Sequence, residues 1–176
     1  MNLHKQTLGI ALAIMTALTM TPSAVSVKAI QDKEVSGKLG GKTIEGVWRT
    51  VITFRNCQTG DPLASIQGVF TFHEGGTMSE FGVGPGSTPA LRSPGHGLWR
   101  RAQGWQDYEY TFFHYRYNAS GVLLGTQKIR ATLQLAASGD EFTAVSASQA
   151  LDTEDNVLGN FCTTSVGTRF EFPVAE

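Results

Sequence analysis

Eight stretches rich in β-branched and aromatic residues follow one another along the chain, at 46–57, 64–74, 76–83, 96–103, 105–118, 122–136, 141–152 and 157–172. Turn-forming residues separate them: Gln58-Thr59-Gly60-Asp61-Pro62, Gly75, the Gly/Pro-rich stretch 84–95, Gly104, Asn118-Ala119-Ser120-Gly121, Ser138-Gly139-Asp140 and Glu154-Asp155-Asn156. No segment among them repeats its apolar residues at helical spacing over a helical length. Strands joined by short loops pair most simply as an antiparallel meander, and eight of them can close into an up-and-down barrel that leaves no edge open. The expected fold is therefore all-β, an eight-stranded antiparallel barrel over residues 46–172. If the first strand runs from bottom to top, the top connections are 58–63, 84–95, 119–121 and 153–156, and the bottom ones Gly75, Gly104 and 137–140. The longer loops mark the top as the mouth.

Residues 1–29 carry the pattern of a secretory signal peptide: Lys5 near the start, an apolar run from Leu8 to Leu18, and small residues ending at Val27-Lys28-Ala29. Cleavage is expected after Ala29, with Pro22-Ser23-Ala24 offering an earlier site. The run is well short of the ~20 apolar residues that span hydrocarbon, so an uncleaved anchor is disfavoured. Removing 1–29 from the 176 residues leaves 147 with a net charge of -3. Export to the periplasm or the extracellular space is the expectation. Residues 30–45 are polar and Gly/Lys-rich and read as a loose arm, and 173–176 as a short tail.

Charged residues make up only 16% of the chain and no basic run stands out, which argues against generic nucleic-acid binding. With 41% hydrophobic residues the chain is too apolar for disorder and should fold alone, as a monomer. Its two cysteines, Cys57 and Cys162, both lie in the part expected to be exported, where an even count permits a disulfide.

Gly46-Val47-Trp48 opening the first strand, and Arg169 in Gly167-Thr168-Arg169-Phe170 on the last, resemble the pattern of the lipocalin/calycin superfamily. The resemblance implies that Trp48 plugs the closed end of the barrel and that Arg169 packs across it. The chain as a whole is more similar to small secreted bacterial barrel proteins than to any named lipocalin, and it lacks the helix that follows a lipocalin barrel. It is also similar in plan to allene oxide cyclase-type barrels.

Side chains alternate faces along a strand, which gives a check on this reading. If Trp48 points inward, so do Thr50, Ile52 and Phe54, and Cys57 points out. If Arg169 points inward, Phe161 and Thr163 do too, and Cys162 points out. Setting Cys57 opposite Cys162 places Thr50 opposite Arg169 and so brings Arg169 beside Trp48. A directly opposed antiparallel pair has Cα atoms ~4.5–5.5 Å apart, close enough for a bridge. A structural Cys57–Cys162 disulfide fastening the first strand to the last near the mouth is therefore expected.

On the second strand Ile66, Gly68, Phe70 and Phe72 share the apolar face. A two-residue turn at Ala119-Ser120 sets Tyr110 opposite Ile129, Phe112 opposite Gln127 and His114 opposite Gly125, which turns Tyr108, Tyr110, Phe112 and His114 inward. A longer turn swaps that face for Phe113, Tyr115 and Tyr117. The expected lumen is lined by Phe54, Phe70, Tyr108, Tyr110, Phe112, His114 and Gln127, and suits a small apolar or aromatic molecule. A barrel filled by its own side chains is the alternative.

Other chemistry has little in its favour. His73, His96 and His114 show no zinc spacing, so no metal site is expected, and no phosphate-binding glycine motif or nucleophile elbow points to a cofactor or to a catalytic residue. Acid–base action by His114 or a desolvated Glu80 on an apolar substrate, as in an isomerase or cyclase, is the enzymatic alternative. Secreted bacterial metalloprotease inhibitors resemble the same plan, and there the 30–45 arm would enter the protease cleft.

Overall fold

The computed structural model describes residues 42–84 and 89–172. Eight strands, β1 (Gly46–Arg55), β2 (Pro62–Phe72), β3 (Thr77–Val83), β4 (Gly95–Arg101), β5 (Asp107–Tyr117), β6 (Leu123–Leu135), β7 (Glu141–Leu151) and β8 (Val157–Arg169), pair in chain order, and β8 returns to β1. All eight pairings are antiparallel, so the barrel is closed and has no edge. The only helical turn among the described residues is a short 3-10 turn at Pro89–Leu91 in the β3–β4 loop. None of the described helices is long and apolar enough to cross a membrane. The signal-peptide reading, the Ala29 cleavage site, the arm through residue 41 and the tail 173–176 lie outside the described residues.

Alternation decides which residues form the core. Trp48, Thr50 and Ile52 are buried on β1 between exposed Val47, Arg49 and Val51, and Gly68, Phe70 and Phe72 are buried on β2. On β5 the buried set is Tyr108, Tyr110, Phe112 and His114, with Phe113 and Tyr115 outside. The faces are those read from the sequence, but two registers are not. Trp48, not Thr50, lies opposite Arg169, and Cys162 pairs with Arg55 rather than with Cys57. Cys57 sits past the end of β1, in a turn where Asn56 and Asp61 close the chain backbone to backbone, and it reaches Cys162 from there with Cα atoms 5.2 Å apart. The disulfide forms as expected; the assumption that both cysteines belong to the ladder is what shifted the register by two residues.

The second correction concerns β5 and β6, where Tyr110 faces Ala131, Phe112 faces Ile129 and His114 faces Gln127. The turn is longer than two residues: Asn118 N–H donates to the Val122 carbonyl, and Asn118 Oδ1 accepts from Ser120 and Val122. Such a turn alone would exchange the two faces of β5. A bulge restores them, because Arg116 pairs with Gly125 while Tyr117 pairs with Leu123, leaving Leu124 extra. Gly125 makes the bulge feasible, with φ +127° and a backbone so close to Leu151 that a Cβ would lie 2.2 Å from its carbonyl oxygen.

The bottom of the barrel is solid. Trp48, Phe72, Tyr108, Leu135 and Phe142 fill it, with Trp48 edge-on to Phe142 at 5.0 Å between ring centres. Residues 42–45, placed in the loose arm by the sequence reading, pack beneath this layer. Ile44 is fully buried, and its carbonyl accepts the Trp48 indole N–H at 2.8 Å. An apolar side chain at position 44 can cover the end of the barrel, so residues ahead of Gly46 belong to the packed floor.

Candidate functional site

A cavity of about 60 Å³ opens from the middle of the lumen toward the mouth. Its walls differ in chemistry. One side carries Ile52 and Phe54 from β1, Ile66 and Phe70 from β2, and Tyr110 and Phe112 from β5. The rings pack on one another: Phe70 is edge-on to Phe112 at 6.1 Å and to Tyr110 at 5.8 Å, and Tyr110 stacks with Phe112 at 6.1 Å. Opposite stand Ser146 and Ser148 of β7, Thr163 and Ser165 of β8, and Gln127 of β6. These hydroxyls are paired across strands, Ser146 with Thr163, and Ser148 accepting from Gln127 Nε2 at 3.0 Å.

A third side is charged. Glu80 on β3 is almost fully buried and holds a two-pronged ion pair with Arg92, which comes down from the β3–β4 loop; Arg92 Nη1 donates to Glu80 Oε1 at 3.2 Å and Nη2 donates to Oε2. Burial pushes the Glu80 carboxyl above its ordinary value, and the guanidinium opposes this. The Tyr110 phenol is pushed far up, first by burial and then by the nearby Glu80 carboxylate. Arg92 is fixed by its neighbours. Its backbone pairs with that of Arg116 on β5, and Ser93 exchanges hydrogen bonds with the Tyr115 backbone at 3.0 Å in each direction.

Gly95 and Gly97 on β4 leave room for this arrangement. A Cβ on Gly95 would meet both Glu80 and the Phe112 ring at 2.8 Å, and one on Gly97 would lie 2.0 Å from the Thr111 carbonyl. Glycine therefore lets the carboxylate and the ring lie flat on the β4 backbone.

His114 completes the cavity. Its Nδ1 lies 3.2 Å from the Tyr115 carbonyl oxygen, which can only accept, so Nδ1 carries the proton and Nε2 the lone pair. Burial, together with the Arg92 and Arg116 charges, lowers the ring to about 4 against the Tyr115 hydrogen bond, and it is neutral near pH 7.

Of the seven residues named for the lumen from sequence, Phe54, Phe70, Tyr110, Phe112, His114 and Gln127 line this one cavity. Tyr108 does not; it belongs to the floor, against Trp99 at 5.8 Å. Arg92 and the serines Ser146, Ser148 and Ser165 were missed, although Thr163 beside them was read as inward. Glu80 was weighed only as an acid, although an inward carboxylate between Met78 and Gly82 was itself a signal that a cation must lie nearby. His73 and His96 stand apart from the cavity, His73 bonding Ser79 at 3.0 Å and His96 lying exposed on β4. No cluster of three or more metal-ligating side chains occurs among the described residues.

At the closed end Arg169 reaches over Trp48 with its guanidinium carbon 4.3 Å from the ring centre, in the arrangement the lipocalin/calycin resemblance implies. The barrel is compatible with a calycin-like fold. Comparison with protein-family models, curated proteins and solved structures found no match for this chain.

Proposed function

We propose that this is an exported, calycin-like barrel that binds a small apolar or aromatic molecule in its upper lumen. The observation that carries the reading is the lumen cavity between a packed floor and the mouth, with Phe54, Phe70 and Phe112 on its apolar side. A closed barrel whose side chains fill one end and leave the other open concentrates apolar surface where only a guest can cover it. At about 60 Å³ the enclosed part is smaller than the ~150 Å³ that takes a benzene, so a ring would seat its leading edge there and keep the rest in the mouth. Export is supported by the Cys57–Cys162 bridge, since structural disulfides form and persist mainly in oxidising compartments, and by the amino-terminal sequence.

Binding has more support than acid–base catalysis. A histidine lowered to about 4 is a weak base at neutral pH, and Glu80 is committed to Arg92. The test fills the cavity from the hydroxyl side. Ser148→Phe should abolish uptake of the fluorescent probe N-phenyl-1-naphthylamine, whereas Val145→Ser on the outer face of the same strand should leave it unchanged. Equal uptake by both variants would place the probe outside the lumen and contradict the reading.

A further inference from the structure

The closed ring of strands ends lower on one side of the mouth than on the other. β1 stops at Arg55, which pairs with Cys162, while β8 begins five residues ahead of that rung, at Val157. Residues 157–161 therefore have β7 on one side, where Phe161 pairs with Ser148 and Val157 with Leu151, and no strand on the other. Alternate N–H and C=O groups along this run point away from β7, and among the described residues they meet no backbone partner.

An open edge of this kind is a template for another strand, and proteins that keep theirs free place lysine, proline or inward charges on it. The run Val157-Leu158-Gly159-Asn160-Phe161 carries none of these. Its surroundings are apolar: Val157, Leu158 and Phe161 are 53%, 61% and 41% exposed, and Leu63, 68% exposed, stands across the end of β1, where Arg55 pairs with both Cys162 of β8 and Pro62 of β2. Together these four expose on the order of 450 Å², close to the apolar share of the ~800 Å² that each partner buries in a standard interface. One guard is present, a bulge at Leu158, since Ala150 pairs with Gly159 and Leu151 with Val157. It limits the flat backbone to residues 159–161, so strand pairing orients a contact here and the apolar side chains supply most of its strength.

The chemistry of the edge selects among occupants. A lipid surface covers leucine and valine but offers no hydrogen bonds to unpaired backbone. Another strand offers both, and the edge suits its own copy. Antiparallel pairing of identical segments is two-fold by construction, and no charged side chain lies on residues 157–161 to repel its equivalent. Asp155, two residues before the run, is held by Lys128 at 3.2 Å.

We propose that two copies of this chain associate through residues 157–161 of β8, antiparallel about a two-fold axis at Gly159, in place of the monomer expected from sequence. Gly159 has no side chain to hold the two backbones apart, and this register sets each Phe161 beside Val157 of the other copy, a favourable cross-strand pairing of an aromatic with a β-branched residue. Leu63 and Leu158 of each copy are covered by the contact. The association is independent of what the lumen holds.

The experiment is sedimentation velocity of the disulfide-intact protein from about 1 µM to about 300 µM, a range that reaches down to the weakest contacts of this size. The wild type should pass from a one-copy to a two-copy mass as the concentration rises. Val157→Lys and Leu158→Lys, both at exposed positions and checked for folding by near-ultraviolet circular dichroism, should each weaken association at least tenfold. Val69→Lys, on the outer face of β2 and 46% exposed, should leave it unchanged. A wild type that stays a single copy throughout would overturn the proposal. So would association that survives both β8 variants, or that Val69→Lys weakens equally. A single-copy wild type that floats with phosphatidylcholine vesicles would assign the apolar edge to a lipid surface and overturn it as well.

Discussion

The Arg169 guanidinium lies 4.3 Å above the Trp48 ring and closes the bottom of the barrel from the strand paired directly with it. Its nitrogens donate to three backbone carbonyls, Gly139 at 2.8 Å, Glu45 at 2.7 Å, and Thr43. One side chain thus ties β8, the β6–β7 turn and the segment ahead of β1 to the buried tryptophan. A lysine has the charge but not the planar fork that reaches three acceptors while stacking on a ring.

Arg169→Ala should therefore destabilise the barrel by about 2–4 kcal/mol, through lost charge-assisted hydrogen bonds and uncovered aromatic surface. Arg169→Lys should recover less than half of this. Urea unfolding followed by tryptophan fluorescence measures both; a loss below about 0.5 kcal/mol for alanine would mean that the floor holds without the arginine.

The disulfide spans 105 residues, so reduction releases nearly the whole barrel to the unfolded ensemble. Chain-entropy arithmetic for a loop of that size gives about 3–5 kcal/mol. The double variant Cys57→Ser/Cys162→Ser should keep its near-ultraviolet circular dichroism, because the β1–β8 ladder is independent of the bridge, while its urea midpoint falls. An unchanged midpoint would show that the ladder alone restrains the unfolded chain as well as the bridge does.

Gly125 decides which face of β5 looks inward. With φ +127° and no space for a Cβ, Gly125→Ala should cost about 2–4 kcal/mol. Gly121 also has positive φ, but nothing lies within 4 Å of where its Cβ would be, so Gly121→Ala should cost only about 1 kcal/mol. Equal costs would remove the steric part of the argument.

His114 gives the fold a pH dependence of definite sign. Its folded value is lowered to about 4 from 6.5, so between those pH values the unfolded chain binds more protons than the native one. Its stabilising contribution is complete above pH 6.5 and is lost as the pH falls through about 4, amounting to about 2–3 kcal/mol. Glu80 acts in the opposite sense, because its raised value makes stability fall as pH rises above its ordinary 4.5. The difference in unfolding free energy between the wild type and His114→Gln isolates the histidine and should grow steadily from pH 4 to pH 6.5. A flat difference would mean that the ring is not desolvated.

The strand count, the closed meander, the inward faces and the disulfide were legible because period-two alternation and turn residues are local signals. Registers were less so. A displacement of two residues preserves every face, so parity could not distinguish Trp48 from Thr50 as the partner of Arg169, nor Ala131 from Ile129 as the partner of Tyr110. The bulge at Leu124 was invisible because its glycine, Gly125, sits in a strand pattern that otherwise reads as unbroken. Arg92 was missed for a different reason: it comes from a loop recognised only by its glycines and prolines, and nothing local says that such a loop sends a guanidinium down to a buried carboxylate. Tyr108 fell outside the cavity because alternation assigns a face but not a height, and the height was set by how far Trp48, Phe72 and Phe142 fill the barrel from below.

Native mass spectrometry of the disulfide-intact protein purified from its own host tests lumen binding most directly. The account predicts a discrete added mass, lost on denaturation and absent from Ser148→Phe, in which the cavity is filled. A bare polypeptide mass in the wild type, under conditions that preserve other non-covalent complexes, would contradict it and leave a barrel whose mouth holds only water.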